Sequence, residues 1–222
     1  MSPSGKLRLR HLVWIAALVS LVVATLYPSD MDGHYAESRK GHNSALVTGV
    51  EDYGRHVNTL VPLGTAIALR DIKGLLQIAT VGFAGTVATH GPKRLLNDVE
   101  IFGTRLGQRP NGGDHNLPSG HSSLASAGAY IAVRRYSKWL GVIVWPILFL
   151  TMYARYMLDA HTVSATIAGA IIGLLVADLF ARPCSRMRRL LADHLLKLVN
   201  RSKTTASRAV SVRAQTRLSR VR

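Results

Sequence analysis

The sequence predicts an all-α fold, a polytopic membrane bundle of about six transmembrane helices. Three observations lead there. Apolar runs close to the roughly twenty residues that span a bilayer recur along the 222-residue chain. The charges collect between those runs and after the last one. Small residues also sit at close-packing spacing within the runs, as Gly82 with Gly85 and as the pair Gly169-x-x-x-Gly173.

Taken in order, Lys6, Arg8 and Arg10 precede an apolar run over 12–27 that only Ser20 and Thr25 interrupt. A basic flank before an apolar run marks a signal peptide or a first membrane helix. Leu26-Tyr27-Pro28 is a poor small-residue cleavage site, so 1–27 reads as an uncleaved N-terminal membrane helix. Residues 28–57 are polar with mixed charge and form an extracytoplasmic loop, within which 44–55 fits an amphipathic helix along the surface. The membrane core follows over 58–181. Its first run, 58–69, is short and holds Pro62 and Gly64; a charged turn at 70–73 separates it from the run 74–91. Residues 92–108 are polar and belong outside the hydrocarbon. A helix rich in Ala, Ser and Gly is expected over 121–133. The next span, 139–157, has Trp139 and Trp145 as interface anchors and Pro146 inside, and the last is 161–180.

The net charge of +16 bears on partners. A dozen Lys/Arg in 182–222 face one acid, Asp193, directly after an apolar span. That placement predicts a basic cytoplasmic tail attracted to anionic lipid headgroups, at about 1 kcal/mol per basic residue. No aromatic-basic platform accompanies it, which argues against nucleic acid as a partner. The lone Cys184 excludes an intramolecular disulfide framework and a Cys-rich zinc site.

Charge also orients the chain. With the N-terminus in the cytoplasm, the segments 1–10, 70–73, 134–138 and the tail face inward and are each net basic, as the positive-inside rule requires. The polar stretches 29–57, 105–121 and 155–161 then share the opposite face. Two arginines and two histidines come together there: Arg109, His121, Arg155 and His161. They read as an anion site with acid/base equipment, and the anion expected is a phosphate ester. Arginine's planar fork suits phosphate oxygens. Ser119 adds a hydroxyl, and Gly120 lets a backbone N–H approach where His121 opens a helix. One imidazole can attack phosphorus while the other protonates the leaving oxygen. His34, His42, His56, His90 and His115 read as loop or interface residues without metal spacing, Asp114 as turn support, and Asp178 as facing a partner helix or the cytoplasmic interface.

Arg109-Pro110, Pro118-Ser119-Gly120-His121 and Arg155-x5-His161 resemble the three signature blocks of the type 2 phosphatidic acid phosphatase superfamily. That family includes lipid phosphate phosphatases, undecaprenyl pyrophosphate phosphatases, lipid A phosphatases and the vanadium haloperoxidases. The resemblance covers about 93–173 and implies the helical phosphatase/haloperoxidase-like core. It implies His161 as nucleophile of a phosphohistidine intermediate, His121 as the acid, and Arg109, Arg155, Ser119 and Gly120 as phosphate binders, with no metal and no cofactor. The substrate class it implies is a phosphate monoester or diphosphate of a lipid headgroup. Arg109-Pro-Asn-Gly and His161-Thr lean toward the lipid A phosphatase branch, and the implied location is a bacterial inner membrane with the site facing the periplasm. The haloperoxidase branch is soluble, and a transporter would carry more membrane-embedded charge.

Two positions depart from the family pattern. The Lys expected seven residues before Arg109 is Phe102 here; Lys93 is the substitute, with Arg94 and Arg105 as rivals, and Arg105 would reach the same face if it stood one helical turn before Arg109. The Asp that orients the nucleophilic imidazole is Ala165. Ser164, Thr166, Asp159 or a backbone carbonyl are the possible replacements. The alternative is a catalytically impaired phospholipid-binding membrane protein.

Overall fold

The computed structural model describes residues 3–38 and 44–184. The helices are α1 (Pro3–Leu26), α2 (Met31–Ser38), α3 (Ala45–Gly49), α4 (Arg55–Ala68), α5 (Ile72–Leu95), α6 (Gly120–Ile131), α7 (Gly141–Met157) and α8 (Val163–Phe180). Between α5 and α6 lies a small antiparallel hairpin of β1 (Glu100–Ile101) and β2 (Thr104–Arg105). The expected all-α membrane bundle is thus observed. Helix starts follow local chemistry: the side chains of Ser44, Asp71, Ser119 and Thr162 each accept a first-turn backbone N–H, of Val47, Gly74, Ser122 and Ala165 respectively.

Among the described residues four helical stretches are long and apolar enough to cross a membrane: Arg8–Leu26, Ile72–Leu95, Lys138–Met157 and Val163–Phe180. The expected count of about six is not reached by this measure, because α4 and α6 have only 14 and 12 residues. At 1.5 Å per residue they extend about 21 and 18 Å, short of the ~30 Å hydrocarbon layer. Leu12, Val19, Leu76, Phe83, Val142 and Phe149 point outward from the long helices, as lipid-facing side chains do. Thr25, Thr65, Thr80, Thr86 and Thr151 return their hydroxyls to the carbonyl four residues earlier, leaving no donor to lipid.

The short helix α6 stands at the centre, packed on α4, α5, α7 and α8. Its Ala, Ser and Gly content makes this possible. A Cβ at Gly128 would overlap the Asn58 carbonyl on α4, and Cβ atoms at Gly169 and Gly173 would overlap the carbonyls of Ser119 and Ser123. The G-x-x-x-G pair therefore seats α8 on α6, as its spacing predicts. Gly82 and Gly85 behave otherwise: a Cβ at either meets nothing within 4 Å, so they open space where a close helix contact is expected.

The stretch 44–55 is not a separate surface helix. A wide π turn (Val50–Gly54) joins α3 to α4, and Val47 and Val50 pack on Ala154 and Met157 of α7. Asp178 fastens α1 to the bundle, accepting from Arg10 (2.9 Å), Trp14 (2.9 Å) and Tyr130, a partner-helix role. The described helices belong to one unit ending at Arg182. The tail's expected lipid contact lies outside the described residues.

Candidate active site

α5 and α7 end, and α6 and α8 begin, at the same end of the bundle. Each delivers part of one polar cluster: Lys93 from α5, Gly120 and His121 from α6, Arg155 from α7, and His161 from the turn before α8. With Arg109 these residues line the polar end of a cavity of about 580 Å³. The cavity continues between α4, α5 and α6 past Val81, Gly82, Gly85 and Leu124 to Pro62, Ile78 and Ile131. It is therefore cationic at one end and apolar along its length.

Backbone hydrogen bonds hold the blocks together. The Ser119 N–H donates to the Ala165 carbonyl (2.9 Å), which joins the second block to the third. The Asn111 N–H donates to the Asp159 carbonyl (3.2 Å), which joins the first block to the third. Arg109 sits on a tight loop closed by its own N–H to the Gly113 carbonyl (2.7 Å), with Gly112 at φ +83°. A side chain is strained at that φ.

Of the residues selected from sequence, Lys93, Arg109, Gly120, His121, Arg155 and His161 meet at the cavity. Lys93 is buried, and it outcompetes its rivals by position. Arg105 does not join them. It lies on β2 rather than on a helix, so the helical spacing to Arg109 does not apply, and it pairs with Asp114. Ser119 is placed differently from the expectation of a free phosphate-binding hydroxyl: its side chain is fully buried and accepts from the Ser122 N–H (3.4 Å) and hydroxyl (3.1 Å) as a helix cap. His90, read as a loop or interface residue, lines the cavity, and His34 is buried beside Tyr156 and Asp159.

His161 is 1% exposed. Burial, reinforced by Lys93, Arg155 and Arg109, pushes its imidazole down to about 2, so the ring is neutral at any ordinary pH. Nδ1 lies 2.7 Å from the Asn116 carbonyl oxygen. A carbonyl only accepts, so Nδ1 carries the hydrogen and Nε2 keeps its lone pair. Of the four replacements open for the missing carboxylate, the backbone carbonyl is the one in contact. Ser164 bonds to Thr162 and Ser29, Thr166 to the Val163 carbonyl, and Asp159 approaches His34. Burial beside Arg155 also lowers Arg109 from its ordinary value.

Three contributors escaped the sequence analysis. Glu51, on the π turn, accepts from Arg155 (2.8 Å) and Arg55 (2.6 Å). Arg55 in turn approaches His121 Nε2 at 3.3 Å. The i,i+4 spacing of Glu51 and Arg55 is visible in the sequence, but nothing there ties it to Arg155, 104 residues away. Asn116 carries no signal within its polar loop.

Comparison with known proteins gives the family. The chain is 42% identical over 133 residues to a lipid A 1-phosphatase of Helicobacter pylori strain J99, covering 60% of this chain and 70% of that protein. It is 41% identical over the same length to the lipid A 1-phosphatase of strain 26695. No solved structure matches. The PAP2 superfamily profile matches residues 60–186, which contain all three blocks, and the chain belongs to the PAP2 superfamily.

Proposed function

We propose that this membrane lipid phosphatase removes a phosphate from a lipid headgroup through a phosphohistidine on His161, with lipid A as the first candidate substrate. The observation that carries the reading is a neutral, buried imidazole enclosed by three cations at the polar end of an apolar cavity. Lys93, Arg109, Arg155 and the N–H groups opening α6 hold the phosphate oxygens. Nε2 of His161 attacks phosphorus, forming an N–P bond as the P–O bond to the lipid breaks; His121, held down to about 4 by burial and Arg155, takes up a proton as the phosphate anion offsets those cations and gives that proton to the departing oxygen. Water then attacks the phosphorus, His121 takes a proton from it, and the N–P bond breaks. Orthophosphate leaves and both imidazoles return to their starting states.

The apolar part of the cavity accommodates an acyl chain. From Ile78 to Lys93 its α5 wall runs about 22 Å at 1.5 Å per residue, comparable to an extended fatty acyl chain. The lipid A 1-phosphatase relatives and the Arg109-Pro-Asn-Gly block support lipid A over phosphatidic acid or undecaprenyl pyrophosphate. The charge pattern supports a bacterial inner membrane with this end of the bundle facing the periplasm. The 182–222 tail then meets anionic headgroups on the cytoplasmic side. The Asn116 contact to Nδ1 supports an active enzyme over a catalytically impaired phospholipid-binding protein.

The test is phosphate release by purified protein in detergent from lipid A, phosphatidic acid and undecaprenyl pyrophosphate. Release is expected with the native chain and none with His161→Ala. Equal release by both refutes the mechanism. Vanadate binding with no turnover on any of the three supports the impaired protein.

A further inference from the structure

We propose that Asn116 is the positioning residue that takes over, in this chain, the work of a carboxylate partner for His161. The inference rests on His161 being the nucleophile.

Asn116 holds the imidazole and the adjoining chain at once. Its carbonyl accepts from Nδ1 of His161 at 2.7 Å. Its side-chain Oδ1 accepts from the Thr162 N–H at 3.0 Å, and its Nδ2 donates to the Thr162 hydroxyl at 3.1 Å. Asn116 is 3% exposed, and its own N–H donates to the Gly107 carbonyl at 2.8 Å. Thr162 is also the cap of α8, its hydroxyl accepting from the Ala165 N–H. The loop carrying the orienting carbonyl is therefore clamped to the start of α8, one residue past the ring it orients. Without the amide, two of the three bonds are lost, and only the Asn116 N–H to the Gly107 carbonyl still restrains the carbonyl opposite Nδ1.

The replacement has an electrostatic consequence. By the family pattern a carboxylate at 165 would orient the ring, and it would add a negative charge to a site built on Lys93, Arg109 and Arg155. A neutral carbonyl orients the ring and leaves their full charge for phosphate. Ala165 itself is fully buried, with its backbone engaged by Ser119 and Thr162.

The test uses the full chain in detergent, with phosphate release from phosphatidic acid as the readout and vanadate binding to count folded sites. Asn116→Ala is expected to lose kcat per site on the order of 10²-fold, the cost of an imidazole misplaced by about an ångström. KM and vanadate affinity should hold. Asn116→Asp, which still accepts from the Thr162 N–H and hydroxyl, should retain most of the turnover. Ala165→Asp added to Asn116→Ala should restore turnover while weakening vanadate binding. A purely structural asparagine would lower the number of folded sites without the kcat loss or that rescue. Full kcat per site in Asn116→Ala overturns the inference, as does a loss shared by Asn116→Asp and unrescued by Ala165→Asp. Activity in His161→Ala would instead sink the reading beneath it.

Discussion

Arg135 and Arg155 lie toward the two ends of the bundle around α6, and both are almost wholly buried. Arg135 is satisfied inside the protein. Its guanidinium forks onto Asp71 (2.8 and 2.7 Å) and donates to Gln77 (3.0 Å) and the Arg182 carbonyl (2.7 Å). Arg155 reaches one carboxylate, Glu51, which it shares with Arg55. The Nε atoms of Arg155 and Arg109 are buried with no partner among the described residues. Arg105 Nε, Asn58 Oδ1 and the Tyr136 hydroxyl beside Arg135 are left the same way, so the contrast between the ends rests on charge. The paired end fastens the start of α5 to the turn that follows α6. The cationic end has the charge surplus an anionic headgroup would neutralise.

The sharpest way to break this contrast is to truncate each arginine. Arg155→Ala is expected to lower phosphate release by at least about 10²-fold with little change in thermal stability. Arg135→Ala should do the reverse, costing about 3 kcal/mol because Asp71 loses the guanidinium that faces it in a largely enclosed setting, with activity per folded molecule kept. Phosphate assays and thermal unfolding in the same detergent separate the two. Equal effects on both readouts would erase the distinction.

A smaller effect tests the cavity's other half. Gly82→Phe places a ring in open space along the apolar wall. Turnover of a long-chain phosphatidic acid is expected to fall about tenfold, consistent with the 1–3 kcal/mol that pocket fit contributes. A short-chain phosphatidic acid should be hydrolysed as before. Equal loss on both would place the chain elsewhere.

A last test is the pH dependence of stability. The folded-state pKa of His161 is depressed to about 2 from an ordinary 6.5, so below 6.5 the unfolded chain binds a proton that the folded one refuses. Its contribution is complete above pH 6.5 and is lost as pH falls toward 2, by at most about 1.4 kcal/mol per unit. The midpoint of thermal unfolding should therefore drop from pH 7.5 to pH 5, and His161→Gln should flatten that slope.

Much of the site was legible because its residues come in short blocks whose spacing is local. Arg109-Pro110, Pro118 to His121 and Arg155-x5-His161 each lie within one loop or helix start, so sequence shows their contents. What failed depended on backbone geometry outside those blocks. Arg105 seemed one helical turn from Arg109, but its stretch folds as a hairpin, and the helical rule does not transfer. Gly82 and Gly85 have a close-packing spacing, yet among the described residues no helix comes within 4 Å of a Cβ placed there. The segment 44–55 was recognised as amphipathic, but the partner of its polar face, Arg155, was not.

The order of apolar runs, the small residues along α6 and α8 and the basic segments between spans determined by themselves that this chain is a helical membrane protein. The reason is that hydrogen bonding in lipid and helix–helix contact depend on properties local to each run. The three signature blocks likewise disclosed the chemistry. Only the tertiary structure decided what orients His161, that Lys93 rather than Arg105 joins the cations, and that Glu51 holds Arg155. Those pairings join residues far apart in the chain, and a main-chain carbonyl such as that of Asn116 has no side-chain identity for a sequence to display.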